Sequence, residues 1–188
     1  MASTIGVDTI QNSTSGTTGM TINTSGQVDL PQNNNISVFG LQGDQTVSSN
    51  TTLTNWGQMN SQTHYGFKQV GSVMNVSSGI FTTTKLGIYR VYCEVHCSKG
   101  DDSRWIQVDL KFKPNGGSYI GGDLYDFIAV AESTSTYLTI NRMRYYNFNH
   151  TGDECKLTVG SSQSIQVRGV ANDFDTMICF EWVAPPVA

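Results

Sequence analysis

Between residues 105 and 113 the chain alternates without a break. Ile106, Val108, Leu110 and Phe112 fall on one side of an extended strand, and Gln107, Asp109, Lys111 and Lys113 fall on the other. That pattern predicts one face on a core and one in water. The same period of two recurs from about residue 34 onward, and candidate strands cover residues 36–41, 66–75, 79–83, 87–98, 104–113, 118–131, 137–147, 155–159, 164–170 and 176–183. Turn sequences stand between them: Pro114-Asn115-Gly116-Gly117, Gly121-Gly122-Asp123, Thr151-Gly152-Asp153 and Gly160-Ser161-Ser162. Ten short strands and no helical period predict an all-β sandwich or barrel.

The first 33 residues have a different texture. Ile5 and Val7, Met20 and Ile22, and Val28 and Leu30 are apolar positions spaced by two, with Ile10 between them, and Ser, Thr and Gly interrupt the run. Such a segment reads as extended. A ribbon of this kind cannot bury its apolar side alone, so it is expected to order only against a partner or its own symmetry copies. Pro31, followed by Gln32 and three asparagines, is the natural hinge. The chain thus divides into an attachment segment, residues 1–33, and a head domain, residues 34–188.

Composition narrows the function classes. Charged residues make up only 14% of the chain, against roughly 25% in an average soluble domain, so solubility rests on uncharged polar side chains. Ser, Thr, Asn, Gln and Gly account for 42 of the first 63 residues, and Lys68 is the first Lys or Arg. A net charge of −4 with scattered cations argues against gripping a phosphate backbone or an anionic membrane surface. No apolar run approaches the length of a membrane span, and the opening MASTIGVDTIQNS lacks the basic start and apolar stretch of a signal peptide. Synthesis in a host cytosol is the expectation, which makes Cys93, Cys97, Cys155 and Cys179 free thiols. Cys93 and Cys97 share a strand face with Tyr89, Val91 and Val95 and read as small buried hydrophobes. The tight Cys-x-x-Cys pairs of a zinc site do not occur.

Two resemblances follow from particular motifs. In SSGIFTTTKLGIYRVYCEV, the residues Gly79, Phe81, Thr82, Gly87 and Tyr89 stand at the spacing of the signature of the complement globular-head and tumour-necrosis-factor-like superfamily. KFKPNGG resembles its Lys-x-Gly hairpin, KLTVGSSQSIQVRG its penultimate hairpin, and MICFEWVA, with Phe180 and Trp182, its closing aromatic strand. Val91, Ser161 and Glu181 depart from the pattern. The resemblance spans residues 36–184 and implies a ten-stranded jelly roll that closes into a homotrimer, binds through outer loops and performs no chemistry. Separately, the opening resembles the N-termini of fibre and appendage proteins of tailed phages, especially marine ones, with Ser3, Thr4, Val7, Asp8 and Ile10 matching. That likeness implies an anchor docking a head domain onto a particle.

Candidate chemistry is sparse. His64, His96 and His150 have no nucleophile placed beside them, and His96 and Cys97 point to opposite faces of their strand. The pairs Asp101 with Asp102, Asp153 with Glu154, and Asp173 with Asp175 match no calcium-loop spacing and read as solvated turn acids. No metal and no cofactor is expected. Arg142, Arg144, Tyr145 and Tyr146 form the one cationic and aromatic cluster, able to stack a sugar ring. The expected function is a non-enzymatic structural protein on a virion surface, a capsid decoration or a fibre or spike component. It would dock to other virion proteins of the capsid or tail through residues 1–33 and present a trimeric head, without binding nucleic acid or inserting in a membrane. The alternative is an adhesin on a phage tail fibre that holds a host surface glycan in loops 56–66, 99–104 and 132–137. A glycosidase or esterase ranks third, because the acids fall in separate turns.

Overall fold

The computed structural model describes residues 9–11, 18–22, 28–29, 35–59, 73–98, 105–120, 126–129, 137–170 and 175–187. The chain separates into two units, Met1–Asn35 and Ile36–Ala188.

In the first unit, β1 (Thr9–Gln11), β2 (Thr18–Ile22) and β3 (Val28–Asp29) form an antiparallel sheet in that order. Ile10 pairs with Met20 and Ile22 with Val28. Because positions 20 and 22 lie two apart on one strand, the register sets 10, 20, 22 and 28 on the same face of the sheet. The alternation foretold extended backbone in this segment. It did not foretell that these strands pair with one another.

The second unit holds β4 (Ile36–Leu41), β5 (Gly43–Val47), β6 (Thr51–Thr52), β7 (Trp56–Gln58), β8 (Met74–Ser77), β9 (Ile80–Thr83), β10 (Gly87–Ser98), β11 (Trp105–Lys113), β12 (Asp126–Ala129), β13 (Tyr137–Phe148), β14 (Glu154–Ser161), β15 (Ile165–Val170) and β16 (Met177–Ala184). They make two antiparallel sheets that enclose one core, a jelly-roll sandwich. In the first sheet β13, β10, β16, β4 and β7 lie side by side, and the far end of β10 pairs with β15, which pairs with β5. In the second, β12, β11, β14, β9 and β8 follow one another, and β6 adds to β14.

β10 shows why these residues make these strands. From Gly87 to Ser98 every second side chain is buried, so Tyr89, Val91, Cys93, Val95 and Cys97 face the core, all at 0% exposure. Its pairing with β13 runs unbroken over the whole strand, from Gly87 opposite Phe148 to Ser98 opposite Tyr137. The β8–β9 hairpin turns on Ser78 and Gly79, both at positive φ (50° and 79°), the backbone of a two-residue turn matched to strand twist. Asp153, fully buried, accepts the backbone N–H groups of Asn115, Asn149 and His150 at 2.8, 2.9 and 3.1 Å and so ties the β11 and β13 turns together.

Several expectations change. Strands β5, β6 and β7 had no counterpart in the reading of the sequence, because GDQTV, TT and WGQ carry no apolar alternation. The strand expected over 66–75 is found at Met74–Ser77 and that over 118–131 at Asp126–Ala129; residues 60–72, 121–125 and 130–136 lie outside the described residues. The polar face of β11 is only partly in water. Gln107 and Asp109 are 7% and 4% exposed, since β11 is flanked by β12 and β14, with Gln107 opposite Phe127 and Asp109 opposite Thr158. Asp153, read as a solvated turn acid, is instead buried on backbone donors.

Candidate functional site

The motif residues meet inside the core. Phe81 lies 5.0 Å from Phe180 and 5.1 Å from Phe39, ring centre to ring centre, with Trp56 at 5.6 Å. Tyr89 packs edge-on against Phe148 at 5.2 Å, and its hydroxyl donates to the Lys85 carbonyl at 2.6 Å beside Thr83 Oγ1 at 3.0 Å. Burial raises the Tyr89 pKa, and the Thr83 contact opposes the rise. Trp182 pairs with Tyr89 in the sheet, donates its indole N–H to the Leu86 carbonyl at 3.0 Å and carries the Lys85 ammonium 3.6 Å over its ring. A Cβ at Gly87 would strike that indole nitrogen. Phe81, Gly87, Tyr89, Phe180 and Trp182 therefore serve the core and the β9–β10 turn rather than an outward surface.

The first sheet has a second face, turned away from that core. The register lines up Met143 on β13, Tyr92 on β10, Cys179 on β16 and Val38 on β4, with Met59 packed against Val38 just past β7. Val38, Met59 and Met177 are buried at 1%, 6% and 4% with Ile36, Tyr92 and Cys179 packed on them, whereas Met143 and Tyr145 stand 56% and 60% exposed. A depression of about 260 Å³ opens among Arg90, Tyr92, Met143, Met177, Cys179 and Glu181. An ion pair between Arg90 and Glu181 borders it, and the Tyr92 hydroxyl donates to Glu94 Oε2 at 2.9 Å. Burial, then the hydrogen bond to Glu94, pushes the Tyr92 pKa up to about 12. Burial, then the Glu181 charge, pushes the Cys179 thiol up to about 11. Uncharged, sulfur-rich and aromatic, this row suits contact with protein, not proton transfer or nucleophilic attack. Sequence reasoning missed it because its members come from five separate stretches that only the register aligns.

The cationic and aromatic cluster is divided by its own strand. Arg142, Arg144 and Tyr146 pair with Cys93, Val91 and Tyr89 and so lie on the core side of β13, while Tyr145 shares the outward face with Met143. Tyr146 stacks on Phe112 at 4.0 Å and 11°. Of the attachment residues, Ile10, Met20, Ile22 and Val28 sit in β1 to β3, and Ile5, Val7 and Leu30 lie outside the described residues. So do loops 99–104 and 132–136, most of loop 56–66, and His64, Asp101, Asp102 and Asp173. The four cysteines are free; Cys93, Cys97 and Cys155 are buried. Among the described residues no group of three or more His, Cys, Asp or Glu side chains could hold a metal ion.

No protein-family model matches the sequence, and no curated protein matches it. Solved structures do match. Eiger TNF from S. frugiperda superposes with a TM-score of 0.58 at 14% identity, over 82% of this chain and 95% of that one. Murine APRIL at pH 8.5 gives 0.54 at 15% identity, and at pH 8.0 gives 0.55 at 14%, each over 79% of this chain and 99% of that one. At such identities the likeness establishes the fold, a jelly roll of the tumour-necrosis-factor type.

Proposed function

We propose that this chain is a non-enzymatic structural protein of a virus particle, displayed on the virion surface, whose head closes into a homotrimer and whose residues 1–33 fasten it to other virion proteins. The observation that carries the self-association is the row Met143, Tyr92, Cys179, Val38 and Met59 on the outward face of a sheet that already has its core on the other side. The Val38 and Met59 end of the row is buried within the chain, but its Met143 end, with Tyr145 beside it, is 56% and 60% exposed and is left in water unless another protein covers it. Three-fold closure is what the Gly79 to Tyr89 motif and its superfamily resemblance imply, and a closed ring covers that end of the row on every copy. The attachment role is supported by the four apolar positions that β1 to β3 bring to one face, together with the likeness of the opening residues to phage appendage N-termini.

The test is light scattering coupled to size exclusion on the full chain. A mass three times the 20.5 kDa of one chain is expected. A purely monomeric peak across the accessible concentration range overturns the self-association, and the structural role with it.

A further inference from the structure

On the outward face of the second sheet three lysines come together. β11 carries Lys111 and Lys113 two residues apart, and β14 sets Lys156 directly opposite Lys111. Like charges directly opposite on neighbouring strands repel. The surrounding acids are already engaged: Lys113 Nζ lies 2.8 Å from Glu154 Oε1, and the Tyr119 hydroxyl donates to the other oxygen at 2.5 Å. Those two bonds hold the Glu154 carboxyl below its ordinary value. Asp109, 4% exposed, reaches Lys111 only at 3.6 Å. The Lys156 ammonium stands 3.9 Å over the Tyr119 ring, with Lys113 Nζ 5.6 Å from the same ring, and among the described residues Lys156 has no ion pair of its own.

We propose that Lys111, Lys113 and Lys156, gathered around Tyr119, bind the carboxylate of an acidic saccharide, a sugar of the uronate class. Three ammoniums against two carboxylates leave one positive charge, so a bound carboxylate would neutralise the cluster and relieve the Lys111–Lys156 repulsion. Lysines are point charges without the bidentate fork of arginine, so they accept a carboxylate presented at varied angles. Thr82, opposite Glu154, and Thr52, opposite Thr158, lie one strand further across the same face, where their hydroxyls can meet sugar hydroxyls. This patch is separate from the apolar row of the first sheet and adds a ligand-binding role to the structural one.

The experiment is calorimetric titration of the full chain at low salt with an oligogalacturonate, with a neutral oligoglucan and with sodium sulfate. The oligogalacturonate is expected to bind and the glucan not. The double variant Lys111→Gln/Lys156→Gln should weaken binding about tenfold or more, as removal of two charge-assisted contacts implies, and circular dichroism checks that the variant stays folded although Asp109 loses its cation. No heat with oligogalacturonate, or undiminished binding by the double variant, overturns the site. Sulfate that displaces the oligogalacturonate at equal concentration overturns the saccharide assignment and leaves a simple anion site. Binding is read per chain, so the outcome does not depend on whether the head is trimeric.

Discussion

A methyl group added at Gly87 would collide with the Trp182 indole nitrogen and lie 2.5 Å from the Ala184 carbonyl oxygen, at a φ of +156° that L side chains rarely adopt. Gly87→Ala is therefore expected to cost roughly 2–4 kcal/mol, strain and overpacking combined. Equilibrium urea denaturation reads it, and a change within experimental error would show that the β9–β10 turn can shift to make room. The thiols offer a second test at this scale. Burial pushes Cys93 up to about 12 and Cys97 up to about 11, and it raises Cys155 well above the ordinary value, with the Cys93 thiol adding to the rise. The folded state thus holds protons that the unfolded chain releases near pH 8.5–9. Since the native pKa values are the raised ones, stability is complete below about pH 9 and drains away as pH climbs towards 11 and 12. Urea midpoints measured from pH 7 to pH 11 should be level and then fall; a midpoint that held through pH 11 would contradict the burial of these thiols.

At the scale of strands, the outward row predicts that one charge is enough to separate the copies. Met143 is 56% exposed in the single chain, so Met143→Glu costs the isolated fold little, but it places a carboxylate against an apolar partner surface. The expected result is a shift from trimer to monomer in light scattering with near-unchanged circular dichroism, and a variant that stays trimeric places the contact elsewhere. β13 also explains its arginines. Among the described residues it pairs only with β10, so it is an edge strand of twelve residues, and the core-side charges of Arg142 and Arg144 blunt such an edge against stray pairing. What the sequence disclosed and what it hid follow from the same physics. β10 was legible because it buries one face and so writes its own period of two, and β11 because its apolar residues alternate with polar ones even though Gln107 and Asp109 are buried as well. β5 and β6 were not, because Asp44, Gln45, Thr51 and Thr52 owe their extended form to the ladders with β15 and β14 rather than to burial, and β7, held by its ladder with β4, is too short to show a period. The row was illegible for a related reason: Met143, Tyr92, Cys179 and Val38 become neighbours only through long-range register, which no local pattern records.

For the whole molecule the proposed virion role raises the question of which unit would fasten it to a particle. Among the residues whose burial is described, every member of the hydrophobic core lies in the head, which is the basis for expecting it to fold by itself. Among the described residues the first unit has three short strands, of three, five and two residues, whose register sets positions 9, 21 and 29 on one face and positions 10, 20, 22 and 28 on the other. Fixing each residue costs about 1–2 kcal/mol, and four apolar positions return little of that unless they are buried. The return grows when the face meets a waiting surface, and three copies joined by a trimeric head would grip together through effective concentration. No Lys or Arg precedes Lys68, so long-range steering by positive charge has no part in that contact, and its strength should vary little with salt. The expected outcome is that deletion of residues 1–30 leaves a folded, trimeric head that no longer co-sediments with particles stripped of the native protein. Met20→Asp in the full chain should weaken co-sedimentation in the same direction without touching the head's melting transition, because it burdens the apolar face alone. Undiminished binding by the deletion would move the attachment surface onto the jelly roll and leave the first unit without the role assigned to it.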